Sequence, residues 1–223
     1  VEHIQKNTQI PVMGHADGIC HIFADSRIAE MDKAIQVIVD AKTQYPAACN
    51  AVETVLLHRD LDRNFLKELV ESLEARQVQI FADQEISAMC AKRFHEPASW
   101  QMEYGDLKIS LRLVDSLEQA IEHINCFGSH HTDCILTESI ESAEQFMRQV
   151  DSANVYHNCS TRFADGYRYG FGAEVGISTH KILERGPVAL EGLTTYKYHV
   201  YGSSHLVANY AGAEPRTFKH KMI

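Results

Sequence analysis

Short apolar stretches typical of β-strands alternate with longer stretches typical of α-helices along the first 158 residues of the chain. The longer stretches place apolar side chains three and four residues apart, which is the spacing of one helical face. Alternation of this kind is typical of a parallel sheet with helices packed on its faces, so we predict an α/β fold. The predicted strands are 20–25, 53–58, 78–83, 107–114, 133–138 and 154–158, and the predicted helices are 28–44, 62–77, 116–127 and 139–151.

The loops of this predicted sheet indicate where a ligand would bind. Ligands of parallel sheets gather at the carboxyl ends of the strands, so the loops after residues 138 and 158 are candidate sites. The segment 159–178 is rich in glycine and aromatic residues, which predicts a long irregular loop. The segment TTYKYHVYGSSHLVANY, 194–210, alternates like one or two exposed strands, and such strands often pair with another subunit.

Composition excludes several classes of partner. The formal net charge is -9 and no cluster of Lys and Arg stands out, which argues against nucleic acid. No apolar stretch approaches the roughly 20 residues that span a bilayer, and the sequence begins without a signal-peptide pattern, so we expect a soluble, cytoplasmic protein with no membrane partner. The six cysteines have no CxxC spacing and are expected to be reduced.

The thirteen histidines invite a metal interpretation, most obviously at His130 and His131, which are followed by Asp133. Adjacent residues point in different directions on a strand or a helix, and no HxxxH or HxH pair supports them. We therefore predict no metal.

A single cysteine stands in an open setting in TQYPAACNAVETVLLH, residues 43–58. Cys49 is flanked by Ala47, Ala48 and Asn50, none of which has the bulk to cover a thiol. It is therefore a candidate nucleophile. The alternative is that Cys49 packs as a small apolar side chain, as free cysteines usually do.

Four long motifs resemble the gamma-glutamyl phosphate reductase family, the branch of the aldehyde dehydrogenase superfamily that reduces acyl phosphates. They are GHADGICHIFAD (14–25), YPAACNAVETVLLH (45–58), EYGDLKISLRLVDSLEQAIEHIN (103–125) and VDSANVYHNCSTRFADGYRYGFGAEVGISTHKILERGPVALEGLTTYKY (150–198). The resemblance runs from about residue 9 to about residue 200, and the last twenty residues match nothing.

The resemblance implies the reduction of L-glutamate 5-phosphate by NADPH to glutamate 5-semialdehyde and phosphate, in proline biosynthesis. It implies that Cys49 is the nucleophile, through a thioester that accepts hydride. It also implies an aldehyde dehydrogenase type of catalytic domain over 1–192, with C-terminal oligomerisation strands and tail over 193–223. The expected partners are a small-molecule substrate, a second copy of the chain, and a glutamate kinase as a partner or a fused domain.

On the cofactor side, the resemblance implies that Glu103 binds the nicotinamide ribose; otherwise it is a solvated acid before a strand. Gly14 and His15 are candidates to line the nicotinamide, and a structural turn is the equal alternative. Hydrolytic members of the superfamily carry a glutamate where this chain has VMGH, 12–15. Without that base no water is activated, which favours reductive use of the thioester.

On the substrate side, the candidates are Asn158, Ser160, Thr161 and Arg162, in HNCSTRF. A guanidinium and hydroxyl groups suit a substrate that carries a carboxylate and a phosphate. The alternative for Arg162 is a structural pair with Asp165 or Glu174, and Arg168 is the reserve candidate.

In the family, the dinucleotide-binding half lies mostly before the segment where this chain begins, and no glycine-rich phosphate cradle precedes Cys49 here. We therefore expect the chain to be either part of a longer enzyme or a chain that has lost catalysis. In the second case it is a non-catalytic α/β oligomerisation module. Alone, the chain should fold and dimerise through its C-terminal strands, without tight NADPH binding or reduction.

Overall fold

The computed structural model describes residues 2–10, 12–181 and 184–221, and it confirms the predicted α/β fold. The chain divides into two compact units, 1–193 and 194–223, which we describe separately. Within the described ranges, no helix is long and apolar enough to cross a membrane.

All ten predicted strands and helices form in the first unit, and their ends differ from the prediction by at most a few residues. The strands are β1 Cys20–Ala24, β2 Val52–His58, β3 Gln79–Ala82, β4 Lys108–Val114, β5 Thr132–Leu136, β6 Asn154–His157, β7 Gly176–Ser178 and β8 Gly186–Val188. The helices are α1 Glu2–Asn7, α2 Met31–Thr43, α3 Arg63–Ala75, α4 Gln84–Met89, α5 Leu117–Phe127 and α6 Ile140–Gln149. The short elements α1, α4, β7 and β8 were not predicted, because six or three residues carry too little periodicity.

The main sheet has the order β3-β4-β2-β1-β5-β6, and every neighbouring pair of strands is parallel. Ile22 at the centre of the sheet pairs with Val55 on one side and with Cys134 on the other. Because all six strands run the same way, the loops that precede them meet along one edge of the sheet. We call this edge, beside Cys20, Val52, Lys108 and Thr132, the amino edge.

Helices cover both faces of the sheet, because successive side chains of a buried parallel strand point to opposite faces. Ile22 packs into one core with residues of α2 and α3, whereas its neighbour Phe23 packs into a second core with residues of α5 and α6. Side chains that accept hydrogen bonds from the first backbone N–H groups fix the starts of four helices. These caps are Asp62, Asp83, Ser116 and Ser139.

A buried ion pair joins the end of α2 to the start of β2. Lys42 Nζ lies 2.9 Å from Glu53 Oε2, and both side chains are almost fully buried. Glu53 also accepts a hydrogen bond of 3.3 Å from the backbone N–H of Gly105. Burial raises the pKa of Glu53 to about 7 and lowers the pKa of Lys42. The pair therefore closes the loop 44–51 at its base and ties it to the segment before β4.

The second unit does not contain the predicted strands. Its described residues form one short 3₁₀ turn, Val207–Tyr210, and no strand. In a strand, every second side chain would be buried on one face. Here both even-numbered and odd-numbered residues are exposed, including Tyr198 and Tyr201. A strand also needs a neighbour to accept its backbone hydrogen bonds, and none is present within this part of the chain. The strand prediction for 194–210 was therefore wrong for the single chain.

Replacing one partner of the buried ion pair should destabilise the fold strongly. We expect Lys42→Met to lower the free energy of unfolding by about 3–5 kcal/mol, because the Glu53 carboxylate is left buried without its partner. Lys42→Met combined with Glu53→Gln should recover most of that loss. The measurement is urea unfolding at pH 7, with the exposed Lys67→Met as the matched control, which should cost less than about 0.5 kcal/mol.

The same pair should make stability depend on pH. The folded-state pKa of Glu53, about 7, lies above its ordinary value of 4.5, so between these values the folded chain holds a proton that the unfolded chain has lost. The contribution of Glu53 to the free energy of unfolding therefore falls as pH rises through this window. Urea titrations across the window should show this fall in the natural chain relative to the double variant, and equal pH profiles would contradict it.

Candidate active site

Four segments that are distant in sequence meet at the amino edge because each one precedes a parallel strand. Gly18 precedes β1, Cys49 precedes β2, Glu103 precedes β4 and His131 precedes β5. Cys49, the candidate nucleophile, therefore lies at the amino edge, whereas the loops after residues 138 and 158, which the sequence indicated as candidate sites, begin at the carboxyl ends of β5 and β6.

Close backbone packing fixes the position of Cys49. A Cβ atom at Gly18 would lie 2.3 Å from the backbone oxygen of Cys49 and 2.5 Å from its Cα, so only glycine fits there. The Cys20 thiol donates a hydrogen bond of 3.3 Å to the same backbone oxygen. Cys49 itself is half-buried, as an approachable thiol requires.

The surroundings of Cys49 favour the neutral thiol. Burial raises the pKa of Cys49, and the carboxylates of Glu103 and Glu174 raise it further. A backbone hydrogen bond and the Arg162 guanidinium act in the opposite direction. Glu103 and Arg162 therefore both lie close enough to Cys49 to influence its charge.

Two histidines complete the surroundings of the thiol. His15 Nδ1 lies 2.9 Å from the backbone oxygen of Ile177, and the rings of His15 and His131 meet edge to face with centroids 4.9 Å apart. His131 is fully buried, and burial together with His15 lowers its pKa to about 3. His131 is therefore a neutral imidazole beside a candidate nucleophile.

The chain after β6 reverses and reaches the loop of Cys49. The reversal occurs at Asn158, which has a φ of 55° and exchanges two hydrogen bonds of 2.9 Å with the backbone of Thr137. Further on, Thr161 Oγ1 donates a hydrogen bond of 2.7 Å to the backbone oxygen of Asn50, and Asn50 Nδ2 donates one of 2.8 Å to the backbone oxygen of Ala164. These bonds attach the 3₁₀ turn Thr161–Phe163 to the residue after Cys49.

Arg162 is held beside the loop of Cys49 by polar and aromatic contacts. Its Nε donates a hydrogen bond of 2.9 Å to Gln44 Oε1, and its guanidinium carbon lies 5.7 Å from the ring centroid of Tyr45. In the described part of the chain it forms no ion pair with Asp165 or Glu174. Glu174 instead accepts a 2.7 Å hydrogen bond from the Gly166 N–H, while Arg168 donates to the backbone oxygen of Arg162.

The structure thus gathers only part of the predicted set around the thiol. His15, Glu103, Thr161 and Arg162 lie at or near Cys49. Asn158 is held against the backbone beyond β5, at the carboxyl ends of the strands. Ser160 caps the 3₁₀ turn, where its Oγ accepts a 3.4 Å hydrogen bond from the backbone N–H of Arg162.

Gly14 and two residues outside the predicted set lie in the same region. The backbone oxygen of Gly14, which has a φ of 149°, accepts a hydrogen bond of 3.4 Å from the Thr179 N–H. Sequence reasoning did not assign His131 or Gly18 to the site. Each lies within two residues of the start of an apolar strand, which was a usable signal because parallel strands bring such positions together.

The fold is that of the aldehyde dehydrogenases. An acetylating aldehyde dehydrogenase from Geobacillus thermoglucosidasius superposes over 92% of this chain and 55% of its own, with a TM-score of 0.68 at 15% identity, which is a similarity of fold. A crystal structure of gamma-glutamyl phosphate reductase from Thermotoga maritima superposes over 92% of this chain and 50% of its own, with a TM-score of 0.88 at 40% identity.

The sequence comparisons point to the same enzyme. Gamma-glutamyl phosphate reductase 1 of Synechocystis sp. is 55% identical over 220 residues, and gamma-glutamyl phosphate reductase of Trichodesmium erythraeum is 52% identical over 222 residues. Each match covers 99% of this chain and 51% of the relative, so the chain spans about half the length of the curated relatives it matches. No family model matches the chain. The chain is a homologue of the gamma-glutamyl phosphate reductases, and the resemblance is confirmed.

Removing the negative charge at Glu103 should make Cys49 easier to ionise. We expect Glu103→Gln to lower the pKa of Cys49, so the pH profile of alkylation by iodoacetamide should move to lower pH. The measurement is the rate at which mass is added at Cys49 between pH 6 and about 10. Glu122→Gln, an exposed acid on α5, is the control. Identical profiles for all three proteins would contradict the influence of Glu103.

Proposed function

We propose that this chain provides the cysteine-bearing half of a reductase that converts L-glutamate 5-phosphate to glutamate 5-semialdehyde with NADPH, in proline biosynthesis. The observation that carries the proposal is the half-buried Cys49, fixed against Gly18 at the amino edge. The similarity to gamma-glutamyl phosphate reductases supports the same reaction.

In the first step, the Cys49 thiolate attacks the acyl carbon of the acyl phosphate. A carbon–sulfur bond forms, the bond from that carbon to the phosphate oxygen breaks, and phosphate leaves with the electron pair. The two terminal nitrogens of Arg162, which have no protein acceptor within the described residues, suit the phosphate or the carboxylate of the substrate. The same guanidinium lowers the pKa of Cys49, so it also helps to form the thiolate.

In the second step, the thioester is reduced and the aldehyde leaves. A nicotinamide dinucleotide, when bound, supplies the hydride. The two oxygens of the exposed Glu103 suit the hydroxyls of its ribose, and Gly14 and His15 would line the nicotinamide. Residues 12–15 contain no carboxylate to activate a water, which favours reduction of the thioester over its hydrolysis. Cys49 departs as a thiolate when the carbon–sulfur bond breaks.

The described residues fit the nicotinamide end of the cofactor better than its phosphates. A dinucleotide phosphate site needs a glycine-rich turn between a strand and a helix. The segments between β1 and α2, β2 and α3, β3 and α4, β4 and α5, and β5 and α6 contain no glycine. We therefore propose that tight NADPH binding depends on residues outside this chain, and the preference for NADP rests on the family resemblance.

The proposed partners also rest on the resemblance. The second unit exposes apolar side chains such as Tyr196, Val200 and Val207, which suits association with a second copy of the chain. A glutamate kinase, as a partner or a fused domain, would deliver the acyl phosphate, and a cytoplasmic location fits this biosynthetic role.

A non-catalytic α/β oligomerisation module is the alternative. The raised pKa of Cys49 is the observation that favours it, because a smaller fraction of the thiol is ionised at neutral pH. Selective labelling of Cys49 by iodoacetamide, ahead of the exposed Cys126, would favour the enzyme instead.

Acylation of Cys49 tests the proposed function directly. We expect the chain to gain an acyl group at Cys49 when it is mixed with acetyl phosphate, because acylation needs only the thiolate and oxyanion stabilisation. Intact-mass spectrometry followed by peptide mapping is the measurement. Cys49→Ser should show no acylation, while the control Cys126→Ser should match the natural chain. Acylation that persists in Cys49→Ser would remove Cys49 from the mechanism.

Arg162 should act mainly on substrate affinity. If it binds an anionic group with both terminal nitrogens, Arg162→Lys should raise the substrate concentration for half-maximal acylation by about 5- to 150-fold, or about 1–3 kcal/mol. The substrate is glutamate 5-phosphate made in situ by a glutamate kinase. Arg148→Lys, an exposed residue on α6, is the control. Unchanged concentration dependence with a lower melting temperature would indicate a structural role instead.

A further inference from the structure

We propose that Cys49, His15 and His131 form a binding site for a soft divalent cation of the zinc class, and that the bound cation blocks the thiol. This goes beyond the reductase proposed above, because neither acylation nor reduction uses a metal. It also differs from the metal pattern considered in the sequence, which involved His130, His131 and Asp133.

The three side chains already surround one point. One ligand atom from each of Cys49, His15 and His131 lies within 4.8 Å of the other two. Tetrahedral zinc, with bonds of about 2.3 Å to sulfur and about 2.0 Å to nitrogen, holds its ligand atoms about 3.3–3.6 Å apart. The ligand atoms therefore have to approach one another by up to about 1.2–1.5 Å, which side-chain rotations of the half-buried Cys49 and His15 can supply.

His131 is prepared as a neutral ligand. It is fully buried, its Nδ1 lies 2.8 Å from Thr132 Oγ1, and its Nε2 has no hydrogen-bond partner within the described residues. A buried nitrogen without a partner calls for an explanation, and a bound ion is one explanation that the neighbouring Cys49 and His15 support. His131 therefore offers a buried nitrogen ligand to an ion bound at Cys49.

His15 has the second contact that oriented metal ligands normally have. Its Nδ1 donates to the backbone oxygen of Ile177 at 2.9 Å, which leaves Nε2 with a free lone pair. A backbone carbonyl that fixes one nitrogen in this way sets the tautomer and the ring direction. Each of the two imidazoles therefore has a nitrogen that can bind an ion held by the sulfur.

The charges around Cys49 favour a cation. The carboxylates of Glu103 and Glu174 lie close enough to Cys49 to oppose a negative charge on its sulfur. When a divalent cation binds, the metal–sulfur bond forms and the thiol proton passes to solvent. The carboxylates, which repel a bare thiolate, then attract the positive charge of the bound cation. Arg162 opposes the cation and limits its affinity. Three protein ligands leave a fourth position for water, as in open zinc sites.

Zn²⁺ titration of the 223-residue chain is the test, with two readouts that do not require enzyme activity. Calorimetry should give one ion per chain, and saturating Zn²⁺ should slow the alkylation of Cys49 by iodoacetamide at least tenfold, reversibly with EDTA. Co²⁺ should give the absorption band of a thiolate ligand. His15→Gln and His131→Asn should each weaken Zn²⁺ binding about tenfold or more.

Matched variants separate this site from non-specific binding. His130→Asn replaces the neighbouring histidine, whose Nδ1 contacts the backbone oxygen of Asp151 instead, and should bind Zn²⁺ like the natural chain. Cys126→Ser should also leave binding unchanged. If His131→Asn does not fold, His15→Gln decides, because His15 is only half-buried. Equal Zn²⁺ affinity in His15→Gln, or equal protection of Cys126, would overturn the proposal.

The outcome is independent of the reductase proposal. Acylation by acetyl phosphate is measured with EDTA present, so its failure would count against the reductase and not against the metal site. Conversely, an absence of Zn²⁺ binding would leave the acylation result unchanged.

Discussion

The buried pair of Lys42 and Glu53 is the interaction on which the candidate site depends. Lys42 lies in the last turn of α2 and Glu53 is the second residue of β2, so their contact of 2.9 Å closes the loop that carries Cys49. Through Gly105, Glu53 also holds the segment of Glu103. A buried ion pair adds little net stability by itself, because both charges lose their hydration. Its effect here is to fix positions, because the same pair holds both the loop of Cys49 and the segment of Glu103.

The parallel sheet explains both the successes and the failures of the sequence analysis. Periodicity identified each long strand and helix, because burial on both faces leaves a strong apolar pattern. The general preference for carboxyl ends indicated the loops after residues 138 and 158, whereas Cys49 lies at the amino edge. The segment after β6 begins at the carboxyl ends of the strands. The chain reverses at Asn158, whose backbone has a left-handed conformation, and Thr161 then contacts Asn50 at the amino edge. A reversal of this kind leaves no periodic signal.

Other features depend on contacts that a sequence cannot display. Glu53 reads as one acid in an apolar strand, and its partner Lys42 is only visible once the helix packs on the sheet. His131 was dismissed beside His130, although the two rings serve different partners, the Thr132 hydroxyl and the backbone of Asp151. In the second unit, residues 194–210 do alternate as in a strand, but the described residues provide no neighbouring strand to pair with, so no strand forms there.

Because the site is assembled from segments that precede four different strands, its contacts span different lengths of chain and are expected to form at different stages of folding. The bond from Thr161 to Asn50 joins residues 111 positions apart, and the one from Cys20 to Cys49 joins residues only 29 apart. Contacts of large sequence separation form late, because long loops must close first. During synthesis, Cys49 can therefore be positioned against β1 before Arg162 has been added to the chain.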